Sequence, residues 1–155
     1  MSVKESAGLL MYRRRRGRFE VFLAHPGGPY FAGKDAGAWT IPKGEPAGGE
    51  DLLAAAVREF VEETGIPPCG EMIPLGSVRQ RGGKTVHAWA FASSLPGGAA
   101  IRSNTFTMEW PPRSGRLCEF PEVDRAAFFP IDAARRKINP AQVELLDRLL
   151  ENVAP

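Results

Sequence analysis

The sequence predicts one α/β domain with a mixed β-sheet, and three observations support this prediction. The chain has 155 residues, which is the length of a single ordinary domain. Apolar residues make up 43% of it and charged residues 25%, as is typical of globular proteins. Short β-favouring apolar runs alternate with a few helical segments, and neither a repeat nor a long linker divides them. We therefore expect residues 1–155 to fold as one domain.

Charge and hydropathy limit the classes of partner. Twenty basic residues face 18 acidic ones, and the net charge of +2 argues against nucleic acid as the main partner. The longest apolar runs, such as Leu52–Val57, are far shorter than the roughly 18 residues of a membrane span. The apolar stretch 7–12 precedes Arg13–Arg16, which is the reverse of a secretory signal. Because Cys69 and Cys118 match no metal-binding spacing, we expect a cytoplasmic protein with reduced thiols.

The first two predicted strands form an antiparallel hairpin. Ala7–Arg13 and Phe19–Ala24 are apolar and β-favouring, and the segment between them contains Gly17, which suits a turn. Arg13–Arg16 has two interpretations, a solvated hairpin tip or a nucleic-acid patch. Four residues make a short binding surface, which favours the solvated tip.

A glycine-rich loop and the best helix of the chain follow. His25–Gly37 reads as a long loop, and loops of that length are commonly functional. Trp39–Ile41 is predicted to be a short strand that Pro42 ends. The helix is predicted over Glu50–Thr64, with acidic residues in its first turn and Gly65 just past its end.

The second half of the chain is predicted to complete the sheet and to close with two helices. The Gly/Pro-rich stretch Pro96–Gly98 interrupts this series. The predicted strands are Met72–Gln80, Lys84–Ser93, one around Thr105–Trp110 and the segment Cys118–Pro130, and the helices are Asp132–Lys137 and Ala141–Asn152.

Three glutamates share one arc of the predicted helix. At about 100° per residue, Glu62 and Glu63 lie within 60° of Glu59. The neighbouring arc is apolar, so we expect the carboxylates to lie at the edge of a cleft beside the core. The residues of that apolar arc are Leu53, Ala56, Val57 and Phe60.

Three clustered carboxylates repel one another, and a bound cation would remove that cost. Oxygen ligands without His or Cys suit a hard ion, Mg²⁺ or Mn²⁺. Arg58, one turn before Glu62, is placed to fix a carboxylate or to contact an anionic substrate. A solvated acidic helix face is the alternative interpretation of these glutamates.

The surroundings of the helix favour the metal site. The chain matches the pattern G-x5-E-x7-R-E-U-x-E-E-x-G-U, in which U is apolar, and a chance match has a probability on the order of 10⁻⁶ for this composition. The matching residues are Gly44, Glu50, Arg58, Glu59, Phe60, Glu62, Glu63, Gly65 and Ile66. This pattern resembles the Nudix box, the signature of the Nudix hydrolases. Softer resemblance covers the AGLLMYRRR opening, WTIPKG and the EVDRAAFFPIDAARR tail.

The resemblance implies an α/β/α sandwich with a mixed central β-sheet, in which residues 44–66 form a loop–helix–loop. It implies that Glu59, Glu62 and Glu63 are metal ligands, one of them also the base, and that Arg58 orients a catalytic glutamate. Glu50 and carbonyls near Gly44 are expected to complete the site.

Nudix hydrolases often use one more acid from a loop beyond the box. The candidates for that acid are Glu119, Glu122 and Asp124, and Glu122 fits best because it lies six residues before Phe128. Each of them has an alternative role as a surface acid.

The implied reaction is the hydrolysis of a phosphoanhydride with Mg²⁺, for which Mn²⁺ is a possible substitute. The stretch 39–44, WTIPKG, resembles the W-x-x-P-K-G of diadenosine tetraphosphate and diphosphoinositol polyphosphate hydrolases. The proline that ADP-ribose hydrolases carry about 15 residues past the box is replaced here by the stretch 80–83, QRGG, which weakens that assignment.

Four residues outside the box are candidates for substrate binding. Lys43 and Arg79 are candidates to hold phosphate, although a charged hairpin tip explains Arg79 equally well. Trp39 and Trp110 are candidates to stack on a base.

We therefore expect a Mg²⁺-dependent Nudix pyrophosphohydrolase acting on a small nucleotide, with a nucleoside triphosphate or a dinucleoside polyphosphate favoured. A nucleotide-binding regulator that has kept the box is the alternative. An RNA-end hydrolase or RNA binder using Arg13–Arg16 is the weakest interpretation. The sequence leaves the oligomeric state open.

Overall fold

The computed structural model describes residues 4–93 and 101–153. The predicted interruption at Pro96–Gly98 lies outside these residues. The strands are β1 (Glu5–Arg15), β2 (Arg18–Pro26), β3 (Lys43–Gly44), β4 (Ile73–Arg79), β5 (Thr85–Ala92), β6 (Thr105–Glu109), β7 (Leu117–Pro121) and β8 (Val123–Pro130). The helices are α1 (Leu52–Thr64), α2 (Ile131–Lys137) and α3 (Val143–Val153), and a 3₁₀ turn at Pro140–Gln142 precedes α3.

Six strands form one mixed sheet in the order β4-β5-β1-β2-β8, with β3 paired to β1. The β1–β5 pair is parallel, whereas β2 pairs antiparallel with both β1 and β8. The predicted hairpin of the first two strands is confirmed. Strands β6 and β7 form a separate two-stranded sheet, so the segment Cys118–Pro130 is divided between two sheets because the chain turns at Glu122.

Helix α1 covers one face of the sheet and α2 and α3 cover the other, which gives the predicted α/β/α sandwich. On the α1 side, Phe60 packs edge-on against Phe91 with ring centres 5.3 Å apart. On the opposite side, Leu145, Leu146 and Leu149 of α3 are fully buried against the sheet. In the part of the chain that the structure describes, no helix is long and apolar enough to cross a membrane.

The first turn of α1 differs from the prediction. The helix begins at Leu52, and Asp51 is its N-cap, with a carboxylate that accepts the Ala54 N–H at 3.1 Å. An aspartate stabilises a helix from this position because it satisfies a free backbone donor. Glu50 therefore lies outside the helix. At the other end, Gly65 is left-handed with φ of 72°, as predicted for the residue that stops the helix.

The approach to the box also differs from the prediction. The predicted strand Trp39–Ile41 is reduced to single bridges, and the regular strand here is β3, two residues further on. A side chain at Gly8 on β1 would lie 2.6 Å from the Pro42 carbonyl, so glycine lets this segment pass close to β1. The Leu9 N–H donates to that carbonyl at 3.2 Å. This contact sets the position of Gly44 beside the sheet.

Candidate active site

Gly44 forms a floor under the Glu59 carboxylate. A Cβ atom at position 44 would lie 2.0 Å from both Cδ and Oε2 of Glu59. Only glycine leaves space for this carboxylate, which packs directly over the β3 backbone. The glycine of the box is therefore required by a close approach.

Three carboxylates converge beside this floor. Glu59 and Glu63 lie one turn apart on α1, and Glu122 comes from the turn between β7 and β8. One oxygen from each lies within 4.8 Å of the others. Glu59 and Glu63 are only 9% and 8% exposed. These two residues lie beside the buried Phe60 on α1, and they are more deeply buried than the predicted position at a cleft edge requires.

Backbone contacts from the end of α1 explain the position of Glu122. The Asn104 N–H donates to the Glu62 carbonyl at 2.7 Å, and the Glu122 N–H donates to the Asn104 carbonyl at 2.8 Å. The Gly27 N–H then donates to the Glu122 carbonyl at 2.9 Å. These three bonds bring the loop acid to the helix. Glu119 is exposed, and Asp124 bonds to His25 instead.

Arg58 connects the box acids to one another. Its Nε and one terminal nitrogen donate to the two oxygens of Glu50 at 3.0 and 2.9 Å. The other terminal nitrogen donates to Glu59 at 3.0 Å and to Glu62 at 3.1 Å. The terminal nitrogen that bonds to Glu50 also donates to the Glu45 carbonyl at 3.2 Å. Glu62 is thus paired with Arg58 and lies outside the group of three converging carboxylates.

The carboxylates of the site differ in their tendency to hold a proton. Burial raises the pKa of Glu63 to about 8, and the charge of Glu59 adds to this shift while Lys43 opposes it. Burial also raises the pKa values of Glu59 and Glu122, and the charge of Glu62 contributes to both. Because burial and mutual repulsion disfavour the ionised form of these carboxylates, a bound cation would stabilise that form.

Glu50 and Arg58 behave in the opposite way. The hydrogen bonds from Arg58, assisted by the Ala47 N–H, lower the pKa of Glu50 to about 2. The same pair raises the pKa of Arg58 above its ordinary value. Both groups therefore stay charged at neutral pH and form a permanent ion pair beside the cluster.

Lys43 and Arg79 lie near the carboxylates to different degrees. Burial and the charge of Lys84 lower the pKa of Lys43, whereas Glu63 and Glu59 oppose that shift, which places Lys43 within the field of the cluster. The β4–β5 register puts the exposed Arg79 on the α1 face, at the edge strand of the sheet. Lys84, in the adjoining turn, lies 3.8 Å from a Glu45 carboxylate oxygen.

The two tryptophans are placed very differently. Trp39 is 4% exposed, packs against His25 and Phe129, and donates its indole N–H to Asp35 at 2.8 Å. Its ring face is used in the core on the α2 side, so the structure does not bring it to the carboxylates. Trp110 is half-buried and lies edge-on to Tyr30, with ring centres 5.3 Å apart and Tyr30 59% exposed.

A comparison with protein families decides the classification. The family model described as "NUDIX domain" matches residues 3–149, which is nearly the whole chain. The chain belongs to the NUDIX family. The predicted family, fold class and enzyme class of this Nudix hydrolase are thereby confirmed. Among curated protein sequences, none matches it significantly.

Solved structures share the fold at low sequence identity. An Ap4A hydrolase of C. elegans in a binary complex is 24% identical, has a TM-score of 0.67 and aligns over 98% of both chains. The NUDIX domain of Shewanella oneidensis NrtR complexed with ADP ribose is 13% identical, has a TM-score of 0.70 and aligns over 99% of this chain and 90% of that one. A MutT protein from Methanosarcina mazei Go1 is 17% identical, has a TM-score of 0.63 and aligns over 98% and 96%.

The arginine run of this Nudix protein lies at the far end of β1 from the carboxylates. Arg13 pairs with Glu20 at 2.8 Å and lies 3.9 Å over the Phe128 ring, and Arg14 lies over Phe19. Ala7 pairs with Gly44 at the other end, and eight residues of strand separate it from Arg15 by roughly 26 Å. Arg13 and Arg14 therefore have contacts within the folded domain.

Two buried polar residues, Gln142 and His25, were not identified from the sequence, and the structure places them near the segments of the site. Gln142 is fully buried, accepts the Ile41 N–H at 3.0 Å and donates to Gln80 at 2.8 Å, so it holds the segment that enters the box. His25 is also fully buried, between Asp124 and the loop that follows β2. Nothing in the local sequence marks the uncharged Gln142 as buried. The position of His25 directly after an apolar run is a sequence signal that could have indicated its burial.

Proposed function

We propose that this Nudix protein hydrolyses a phosphoanhydride bond of a small nucleotide with the help of Mg²⁺, and that residues 1–155 act as one domain. The convergence of three carboxylates, those of the buried Glu59 and Glu63 and of the half-buried Glu122, carries the proposal. The cytoplasmic location remains a prediction.

The residues present fit a hard divalent cation. The cluster offers oxygen ligands only, which is the donor set that Mg²⁺ and Mn²⁺ prefer. The raised pKa values of its members reflect a deficit of positive charge that a cation would remove. Glu59, Glu63 and Glu122 would hold the ion, and Glu62, whose carboxylate bonds to Arg58, is a further candidate ligand. The ion would lower the pKa of a bound water and neutralise charge on phosphate oxygens.

The other residues orient this set. Arg58 holds Glu59 and Glu62 in place and is itself held by the ionised Glu50. Gly44 leaves the space in which the Glu59 carboxylate sits. One glutamate of the set accepts the proton of the attacking water. Lys43, with a positive charge close to the cluster, would bind a phosphate of the substrate.

A nucleoside triphosphate or a dinucleoside polyphosphate is the substrate class that we favour. The W-x-x-P-K-G stretch supports it, and the Ap4A hydrolase of C. elegans is a structural relative. Trp110 and Tyr30 would offer an aromatic surface to a base, and Arg79 a charge to a distal phosphate. Because the NUDIX domain of Shewanella oneidensis NrtR, which shares the fold, is complexed with ADP ribose, that nucleotide should be tested as a substrate as well.

Product analysis with purified protein tests the proposal. Nucleoside triphosphates, diadenosine polyphosphates and ADP-ribose would be incubated with and without Mg²⁺, and the products identified by mass. We expect Mg²⁺-dependent turnover of one class, reduced about 10²-fold or more in Glu59→Gln and Glu63→Gln. Glu119→Gln, which changes an exposed glutamate outside the cluster, is the matched control and should retain wild-type turnover.

Two results would contradict the proposal. Wild-type turnover in both Glu59→Gln and Glu63→Gln would remove the cluster from the reaction. No turnover of any nucleotide, together with tight Mg²⁺-dependent binding of one, would instead support the nucleotide-binding regulator.

A further inference from the structure

His25 is a buried polar residue that the proposed chemistry does not use. It lies near the end of β2, is 0% exposed and packs edge-on against Trp39 with ring centres 5.2 Å apart. Its Nδ1 lies 2.8 Å from a carboxylate oxygen of Asp124, and its Nε2 lies 2.7 Å from the Lys34 carbonyl.

Both partners of His25 are hydrogen-bond acceptors. One ring nitrogen lies within hydrogen-bond distance of a β8 side chain, and the other lies within hydrogen-bond distance of a carbonyl in the loop 27–38. His25 therefore forms a two-ended tie, which means a pair of contacts that joins β8 to the loop 27–38.

The two segments that His25 joins carry parts of the proposed site. Asp124 lies two residues after Glu122 at the start of β8, and the Gly27 N–H bonds to the Glu122 carbonyl at 2.9 Å. Lys34 belongs to the same loop as Tyr30, whose ring contacts Trp110. Where β2 meets this turn, the β2–β8 register shifts between His25 and Pro26, so the regular ladder does not align these segments.

We propose that His25 is a positioning residue of the site: by its contacts with Asp124 and with the Lys34 carbonyl, it holds the Glu122 turn and the loop 27–38, which carries Tyr30, in one arrangement. This inference rests on the proposed function for its kinetic consequences. We expect His25 to affect nucleotide binding and metal binding alike, because the same two contacts order both the Glu122 turn and the loop 27–38.

Two variants break the tie at different places. His25→Gln keeps a polar side chain, but its donors lie on a single nitrogen, so it cannot bond at both ends. Asp124→Ala removes one acceptor at a side chain that is 33% exposed, so this variant is expected to fold even where a core substitution does not. Glu20→Gln is the matched control, because it weakens the half-buried Arg13–Glu20 pair elsewhere on β2.

Kinetics and hydrogen exchange are measured together. We expect both site variants to raise the nucleotide KM and the half-saturating Mg²⁺ concentration about tenfold, with little change in kcat at saturation. The double variant should show no more than the larger single effect, because both substitutions break one contact. Amide exchange should accelerate in segments 27–38 and 122–125 in these variants and stay unchanged there in Glu20→Gln.

The outcomes separate this inference from the proposed function. If the wild type hydrolyses none of the nucleotides, the proposed function fails, and the exchange measurement still decides whether His25 orders the two segments. If exchange in both segments and both constants match the wild type while only the melting temperature falls, His25 is an ordinary core residue and the inference is wrong. Effects that multiply in the double variant would also overturn it.

Discussion

Replacing Gly44 by alanine tests whether the position of the Glu59 carboxylate is essential. The new Cβ would lie 2.0 Å from Cδ of Glu59. Carbon atoms in contact are about 3.5 Å apart, so the carboxylate must move by about 1.5 Å. The backbone at position 44 is not in the left-handed region, and the atom that must move is the end of a flexible side chain. The cost to folding should therefore be small.

The cost to function should be large. A misplacement of about 1 Å at a catalytic centre lowers the rate by about 10²-fold. The shift also moves Glu59 away from Glu63 and Glu122 and from its 3.0 Å bond to Arg58. We expect kcat to fall by about 10²-fold, or about 2.7 kcal/mol of transition-state stabilisation, and the Mg²⁺ requirement to rise.

The assay compares Gly44→Ala with Gly48→Ala. Gly48 belongs to the same loop, and a Cβ there meets no atom within 4 Å. Turnover of the nucleotide found in the substrate panel, Mg²⁺ titration and thermal melting would be measured for both. Gly48→Ala should match the wild type in all three. If Gly44→Ala also keeps wild-type kcat and Mg²⁺ dependence, the proposed role of Glu59 is refuted.

Three further predictions concern charge and substrate contact. Burial raises the pKa of Glu63 to about 8, so a proton competes with the cation; Mg²⁺ affinity should rise about tenfold per pH unit up to pH 8 and level off above it, as measured by titration calorimetry. Arg58→Lys should lower kcat about 10-fold to 100-fold, because one ammonium cannot replace the guanidinium, and NMR should show the pKa of Glu50 rising from about 2. Trp110→Ala should raise the nucleotide KM about tenfold with kcat unchanged if the ring stacks on a base, whereas Leu117→Ala, at a 76% exposed site on the same hairpin, should not.

Each of these has a contrary result. Mg²⁺ affinity that is independent of pH between 6 and 8 would mean that Glu63 does not exchange a proton for the cation. An unchanged pKa of Glu50 in Arg58→Lys would mean that the ion pair does not set it. A fall in kcat rather than a rise in KM for Trp110→Ala would place that ring in the chemistry instead of in binding.

The fold was predictable where the pattern is local. Two apolar, β-favouring runs on either side of Gly17 predicted the first hairpin, which the structure confirms. The helix of the box was predicted because its periodicity and Gly65 are local signals, and only its start is wrong, since Asp51 caps it from outside. The pairing of β7 with β6, and not with the main sheet, depends on contacts across the chain that no local pattern carries.

The same division runs through the site. Glu59 and Glu63 are four residues apart on a helix, and helix geometry alone puts them on one face. How deeply they are buried was not predicted, because the depth depends on how α1 is rotated against the sheet. The sequence suggests that Trp39 could stack on a base, but in the structure its ring packs in the core on the α2 side of the sheet.

By itself, the sequence determined the family of this protein and the acidic helix face, because both depend on residue spacings within some 23 residues that helix geometry converts into positions. The sequence offered three candidate loop acids and favoured Glu122, but only the tertiary structure brings Glu122 to Glu59 and Glu63. Only the tertiary structure also shows that Glu62 pairs with Arg58 outside this group and that His25 joins β8 to the loop 27–38. Glu122 is 59 residues from Glu63 along the chain, and its place is set by backbone bonds through Asn104 and Gly27. Those bonds form only when the segments dock, so no local spacing encodes them.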